Sequence, residues 1–222
     1  MTAGNGKVVF VPRNAGGVGV FDPTTDMFSV VDISGSISGV DRFDGGATVA
    51  DSRVVFALWG SNSVGVFDAL WGTFTLVDVS STIDTAGKFR GAATAGDGRV
   101  VFVPWESFTA GVGVFDPKTD TFKLFDIVDK ITINEKFNGT ALAGNGRVVF
   151  APYYVHGVGV FDPADDSFTL VEIPSGMFGS TEIYSTAPLM RATARLCSPL
   201  GKPPALVCFA FLSPSVRAAR RR

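Results

Sequence analysis

The chain of 222 residues has one histidine, His156, and that limits the acid–base chemistry open to it. Brought beside Glu106, an imidazole and a carboxylate can pass a proton to and from a substrate. His156 adjoins Gly157, the setting of a solvated loop histidine, so this pair supports a hydrolase or lyase only as the alternative reading. One imidazole and two cysteines, Cys197 and Cys208, cannot assemble a His/Cys zinc set. Carboxylates recur four apart at Asp22 and Asp26, Asp116 and Asp120, and Asp162 and Asp166. Calcium takes about six to eight oxygens, more than such pairs supply, and they read as turn caps. No metal and no cofactor is expected.

The second chemistry is recognition. Arg13, Asn14, Trp59, Asn62, Trp105, Glu106, Tyr153, Tyr154 and His156 mix aromatic rings with charged and amide groups. That mix is enriched where interfaces concentrate binding energy. These residues are the expected contacts for a protein or small-molecule ligand, and an interaction module is favoured over an enzyme. Trp59, Trp105 and Tyr153 also hold matching places in successive repeats, which suits a plain structural cap.

The repeat is what must position them. Gly-Val-Gly-Val-Phe-Asp-Pro stands at 17–23, 111–117 and 157–163, and Ser-Val-Gly-Val-Phe-Asp-Ala at 63–69. A period of just under fifty residues filled with short apolar runs is a propeller signature. Each period holds four strand-like pieces. In the clearest unit these are 89–94, 99–103, 111–116 and 121–126, all rich in Val, Phe and Thr. Asp-Gly at 97–98 and Asn-Gly at 145–146 predict tight hairpins between pieces one and two. Asp-Pro-x-x-Asp predicts the turn between pieces three and four. The second unit has Asp68-Ala69-Leu70-Trp71-Gly72 there, which predicts exposure of Leu70 and Trp71. The recurring phenylalanines of pieces one and two, Phe43, Phe89 and Phe137 with Phe10, Phe56, Phe102 and Phe150, are expected to fill the space between units. The expected fold is all-β, a β-propeller of four-stranded blades, four in number or else a fragment of a larger propeller. The regular turns fall on one face. The unlike loops, with the recognition residues, fall on the other, where function is expected.

The stretch 112–122, Val-Gly-Val-Phe-Asp-Pro-Lys-Thr-Asp-Thr-Phe, resembles the kelch repeat, as does Phe89-Arg90-Gly91-Ala92-Ala93 with the Asp-Gly turn after it. The Gly-Gly of kelch is replaced here by Val-Pro-Trp or Ala-Pro-Tyr. The same lines resemble the Tyr-Val-Thr-Asn-type propeller repeats. The likeness runs from residue 4 to about 189. It implies a propeller that is an interaction scaffold, with enzymes a minority among such folds. Virginiamycin-lyase-like propellers use His and Glu near the axis, and no matching motif stands in this sequence.

Residues 1–190 form the expected propeller domain, and 191–222 a basic Pro/Arg-rich tail or degenerate fifth repeat. The tail holds Arg191, Arg195, Lys202, Arg217, Arg220, Arg221 and Arg222 with no acid, against a net charge of −2 for the whole chain. The acidic remainder argues against nucleic-acid binding by the propeller. No apolar run reaches the ~20 residues of a membrane span. A soluble monomer is expected, with the cytoplasm favoured. The amino end shows no first piece before Gly6, and Tyr184-Ser185-Thr186-Ala187-Pro188-Leu189 offers one. Closure by that clasp, an open fragment, and closure by self-association all remain open.

Overall fold

The structure is a computed structural model, and it describes residues 1–106 and 111–174. Fifteen strands and no helix occur among them. They form four antiparallel sheets, the blades. Blade 1 holds β1 (Val8–Phe10), β2 (Gly17–Asp22) and β3 (Met27–Asp32). Blade 2 holds β4 (Phe43–Thr48), β5 (Arg53–Leu58), β6 (Ser63–Asp68) and β7 (Thr73–Asp78). Blade 3 holds β8 (Phe89–Thr94), β9 (Val100–Pro104), β10 (Val112–Asp116) and β11 (Thr121–Phe125). Blade 4 holds β12 (Phe137–Leu142), β13 (Val148–Pro152), β14 (Gly157–Asp162) and β15 (Ser167–Glu172). Each is a simple meander in chain order, the arrangement expected for a propeller blade.

Packing explains why the second and third strands of blades 2 and 3 are apolar on both sides. At each junction the later blade turns a face rich in Phe to a face rich in Val on the earlier one. Val55, Ala57, Val64 and Val66 of blade 2 pack on Phe89, Phe102 and Phe115 of blade 3. Val101, Val103, Val112 and Val114 of blade 3 pack on Phe137, Phe150 and Phe161 of blade 4. Val9, Val18 and Val20 of blade 1 pack on Phe43, Phe56 and Phe67 of blade 2. Within each Phe face three rings meet. Centroids of Phe43, Phe56 and Phe74 lie 5.5–6.2 Å apart, and the sets Phe89, Phe102, Phe122 and Phe137, Phe150, Phe168 repeat this.

The second glycine of the repeated phrase sits under these rings. A Cβ built on Gly65 would lie 2.9 Å from Phe43 Cζ, on Gly113 2.7 Å from Phe89 Cζ, and on Gly159 2.8 Å from Phe137 Cζ. No side chain fits there, which is why the phrase keeps Gly in mid-strand where it otherwise weakens a sheet.

The turns follow the expected chemistry with one change. Asp22, Asp68, Asp116 and Asp162 each accept a backbone N–H two residues on, from Thr24, Leu70, Lys118 and Ala164. Asp26, Asp120 and Asp166 take the positive φ that closes the turn. Leu70 and Trp71 are exposed as expected. The Asp-Gly and Asn-Gly turns differ. Only Gly98 and Gly146 have positive φ, while Asp97 and Asn145 accept the N–H of Arg99 and Arg147. The side chain caps the turn, so these are not two-residue hairpins with both centres left-handed.

At the amino end one expectation holds and one is corrected. Blade 1 has three strands and no first strand, as expected, but its first-strand lane is not empty. Thr2 bridges Val8, and Met1 and Val9 exchange both backbone hydrogen bonds at 2.8 Å, so Met1–Ala3 fill the last places of blade 1's first-strand lane. Phe10 does not fill a junction. It is 50% exposed, because among the described residues no blade precedes blade 1. The clasp at 182–189, the tail 191–222, Cys197, Cys208, Ser107 and Phe108 lie outside the described residues.

Phe102 is fully buried between blades 2 and 3, whereas Trp71 sits at an exposed turn. Phe102→Ala is expected to cost about 3–5 kcal/mol. Trp71→Ala should stay within about 0.5 kcal/mol. Urea denaturation of both variants checks this, and equal losses would remove Phe102 from the core.

Candidate functional site

The loops between the second and third strands of each blade, and those that enter the first strands, are stitched together by the main chain. Arg42 N donates to Arg13 O, Trp59 N to Arg42 O, and Lys88 N to Trp59 O. Trp105 N donates to Lys88 O, Lys136 N to Trp105 O, and Tyr153 N to Lys136 O. These bonds, 2.9–3.3 Å long, step from blade 1 to blade 4 without a gap. They hold one residue per blade at the same height: Arg13, Trp59, Trp105, Tyr153.

The side chains at those steps form a row. Trp59 and Trp105 rings lie 6.1 Å apart, Trp105 and Tyr153 4.9 Å, and Tyr153 and Tyr154 4.7 Å. The Arg13 guanidinium stands 5.6 Å from the Trp59 ring, and that of Arg90 4.2 Å from Trp105. Both are within cation–π range. Trp105 is buried, Trp59 and Tyr153 are half-buried, and Tyr154 is exposed. Trp105 is thus covered by its neighbours, while the outer members of the row are accessible to solvent.

Two residues that were not among the expected contacts complete the row. Each first strand breaks register after its phenylalanine, between Phe43 and Gly46 and between Phe89 and Ala92, at Gly45 and Gly91 with positive φ. Bulges re-aim neighbouring side chains. Asp44 and Arg90, one place after Phe43 and Phe89, meet across blades 2 and 3 at 3.6 Å, and Arg13 reaches Asp44 at 3.4 Å and Asp41 at 2.8 Å. The signal in the sequence is Phe-polar-Gly, as Phe43-Asp44-Gly45, Phe89-Arg90-Gly91 and Phe137-Asn138-Gly139.

Beneath the row lie three buried cations, each directly before a first-strand phenylalanine: Arg42, Lys88 and Lys136. Lys88 Nζ donates to Ser61 O at 3.1 Å and to Asn62 Oδ1 at 2.9 Å. Burial pushes the Lys88 ammonium below the ordinary lysine value, with Asp84 opposing. Burial does the same at Lys136, with Glu106 opposing. Arg42 donates to Ile37 O and Ala15 O. Asn14 Oδ1 accepts from Asp41 N at 2.6 Å. Asn14 and Asn62 thus hold the scaffold through their amide oxygens. Glu106 and His156 are exposed and belong to loops of blades 3 and 4. The Glu106 carboxylate lies against Gly87, and His156 O accepts from Ile173 N at 3.2 Å.

No family model and no curated protein matches the chain. Solved structures do. A catalytically inactive virginiamycin B lyase from Staphylococcus aureus with quinupristin superposes with a TM-score of 0.64 at 13% identity, over 79% of this chain and 55% of that one. The extracellular domain of the BT4673 system of B. thetaiotaomicron gives 0.58 at 14% identity, over 79% and 24%. An auxiliary nutrient binding protein from Bacteroides ovatus gives 0.54 at 13%, over 77% and 45%. The chain spans about half the length of the lyase it matches.

Asn62→Ala should destabilise the fold by about 1–2 kcal/mol at neutral pH, since it removes an acceptor from a charged donor. Lys88 holds its proton less firmly folded than unfolded, so folding gains stability as pH rises from the lowered folded value toward 10.5. The Asn62→Ala penalty should shrink over that window. Melting temperatures of both proteins across it provide the check, and a constant gap would separate Asn62 from Lys88. These alignments place the chain, by its fold, among β-propellers.

Proposed function

We propose that this chain is a non-enzymatic binding module that takes a protein or a polar small molecule on the face bearing Arg13, Trp59, Asp44, Arg90, Tyr153 and Tyr154. The supporting observation is the continuous row of rings, 4.7–6.1 Å apart, edged by the Arg13–Asp44–Arg90 charges. Aromatic area and arginine forks together give a surface that can bind at low entropic cost, because the backbone stair already fixes it. Asn14, Asn62 and Trp105 serve this face by holding it. Kelch membership is no part of the reading.

A lyase-type or hydrolytic chemistry is the second reading. What supports it is the likeness to the lyase fold and the presence of Glu106 and His156 on loops of the same kind. It requires turnover that His156→Ala abolishes while binding survives.

Arg13 and Tyr154 are exposed, so Arg13→Ala and Tyr154→Ala should leave the fold intact and weaken ligand capture by about tenfold or more each, the range of interface hot spots. Trp71→Ser, at a turn between third and fourth strands, should leave capture unchanged. Immobilised wild type and the three variants, probed by surface plasmon resonance with each retained ligand, test the assignment. Loss of capture in Trp71→Ser alone would move the site to the opposite face.

A further inference from the structure

The two ends of the blade series carry complementary bare surfaces. On blade 1 the Phe face is open. Phe10 and Phe28 are 50% and 59% exposed, although their counterparts Phe56, Phe102 and Phe150 are fully buried and Phe168 nearly so. A groove of about 460 Å³ runs there, lined by Phe10, Val11, Gly19, Phe28 and Val30. On blade 4 no further blade packs on the Val face among the described residues. Val149, Val158 and Val160 are half-buried and Val171 is 51% exposed. Their counterparts Val9, Val18 and Val20, or Val101, Val112 and Val114, are buried.

The three internal junctions show what covers each surface. Every Phe face is covered by a Val face, and the reverse. The chain's own blade 4 does not provide that cover for its blade 1. Arg99 of blade 3 reaches forward to Pro163 O at 2.6 Å and Asp166 at 2.7 Å of blade 4. Asn5 of blade 1 likewise reaches Ala69 O of blade 2 at 2.8 Å. Arg147, which stands in blade 4 where Arg99 stands in blade 3, turns back to its own Asp162 at 2.6 Å.

We infer that the chain associates with a second copy, the Val face of blade 4 in one copy docking on the Phe face of blade 1 in the other. The contact continues an interface that the chain already builds three times. It is heterologous, and two such contacts between two copies close a ring from the four described blades of each, at the upper end of the ~4–8 found in propellers. This departs from the monomer expected of the sequence, and it is independent of what the loop face binds.

The test uses the full chain and two charge variants, Phe28→Asp on the Phe face and Val171→Asp on the Val face. Both positions are exposed in the single chain, so each variant should retain its far-ultraviolet circular dichroism. Light scattering after gel filtration should give twice the chain mass for wild type and the chain mass for each variant. An equimolar mixture of the two should return to twice the chain mass, because one intact Phe face then meets one intact Val face. A wild type at the chain mass, whether open or closed on itself, overturns the inference. So does a dimer that survives both substitutions, or a mixture that stays monomeric.

Discussion

Everything in this protein hangs on a phenylalanine ring laid over a mid-strand glycine. Phe43 over Gly65, Phe89 over Gly113 and Phe137 over Gly159 bring the first and third strands of a blade into contact above the second. That contact builds the aromatic face on which the valines of the preceding blade pack. A methyl group at any of these glycines would have to displace a buried ring, and close-packed interiors have little room to yield. The repeated phrase is therefore a steric requirement written into the strand, as well as a marker of period.

From that constraint the loop face follows. Blades stacked at one repeating step bring the start of each first strand beside the loop of the blade before. There the main chain can pass from Arg13 to Tyr153 in alternating steps. The buried cations Arg42, Lys88 and Lys136 sit under those steps; Arg42 donates to Ile37 O and Ala15 O, and Lys88 to Ser61 O and Asn62 Oδ1. Burying an ammonium is costly, and the lowered affinity of Lys88 for its proton reflects that cost. Two neutral acceptors offset it in part.

The architecture was legible because its signals are local. Period, turn chemistry and alternation gave four units, the Asp caps, and the exposure of Leu70 and Trp71. What the sequence could not reveal depended on neighbours. Phe10 reads like Phe56 or Phe102, yet its burial is decided by whether a blade lies against it. Met1-Thr2-Ala3 is too short to carry a strand pattern, and it pairs only because Val8 and Val9 present an open edge. Nothing in the sequence marks Arg42, Lys88 and Lys136 as buried, since burial of a cation leaves no trace in hydropathy. Asp44 and Arg90 looked like strand residues, and a one-residue bulge at Gly45 and Gly91 brings them to the site. The Arg, Trp and Tyr positions of the expected site do come together as a row, while Asn14 and Asn62 prove to be tied inward.

The stair of hydrogen bonds from Arg13 to Tyr153 uses only peptide groups. Every second step is a buried cation, Arg42, Lys88 or Lys136, while the steps between them accept Arg, Trp, Trp and Tyr in successive blades. Change there is decoupled from folding in a way that change at the glycines is not. A chain built on this frame can change the surface chemistry of its exposed steps, such as Arg13, without rebuilding the blades beneath them.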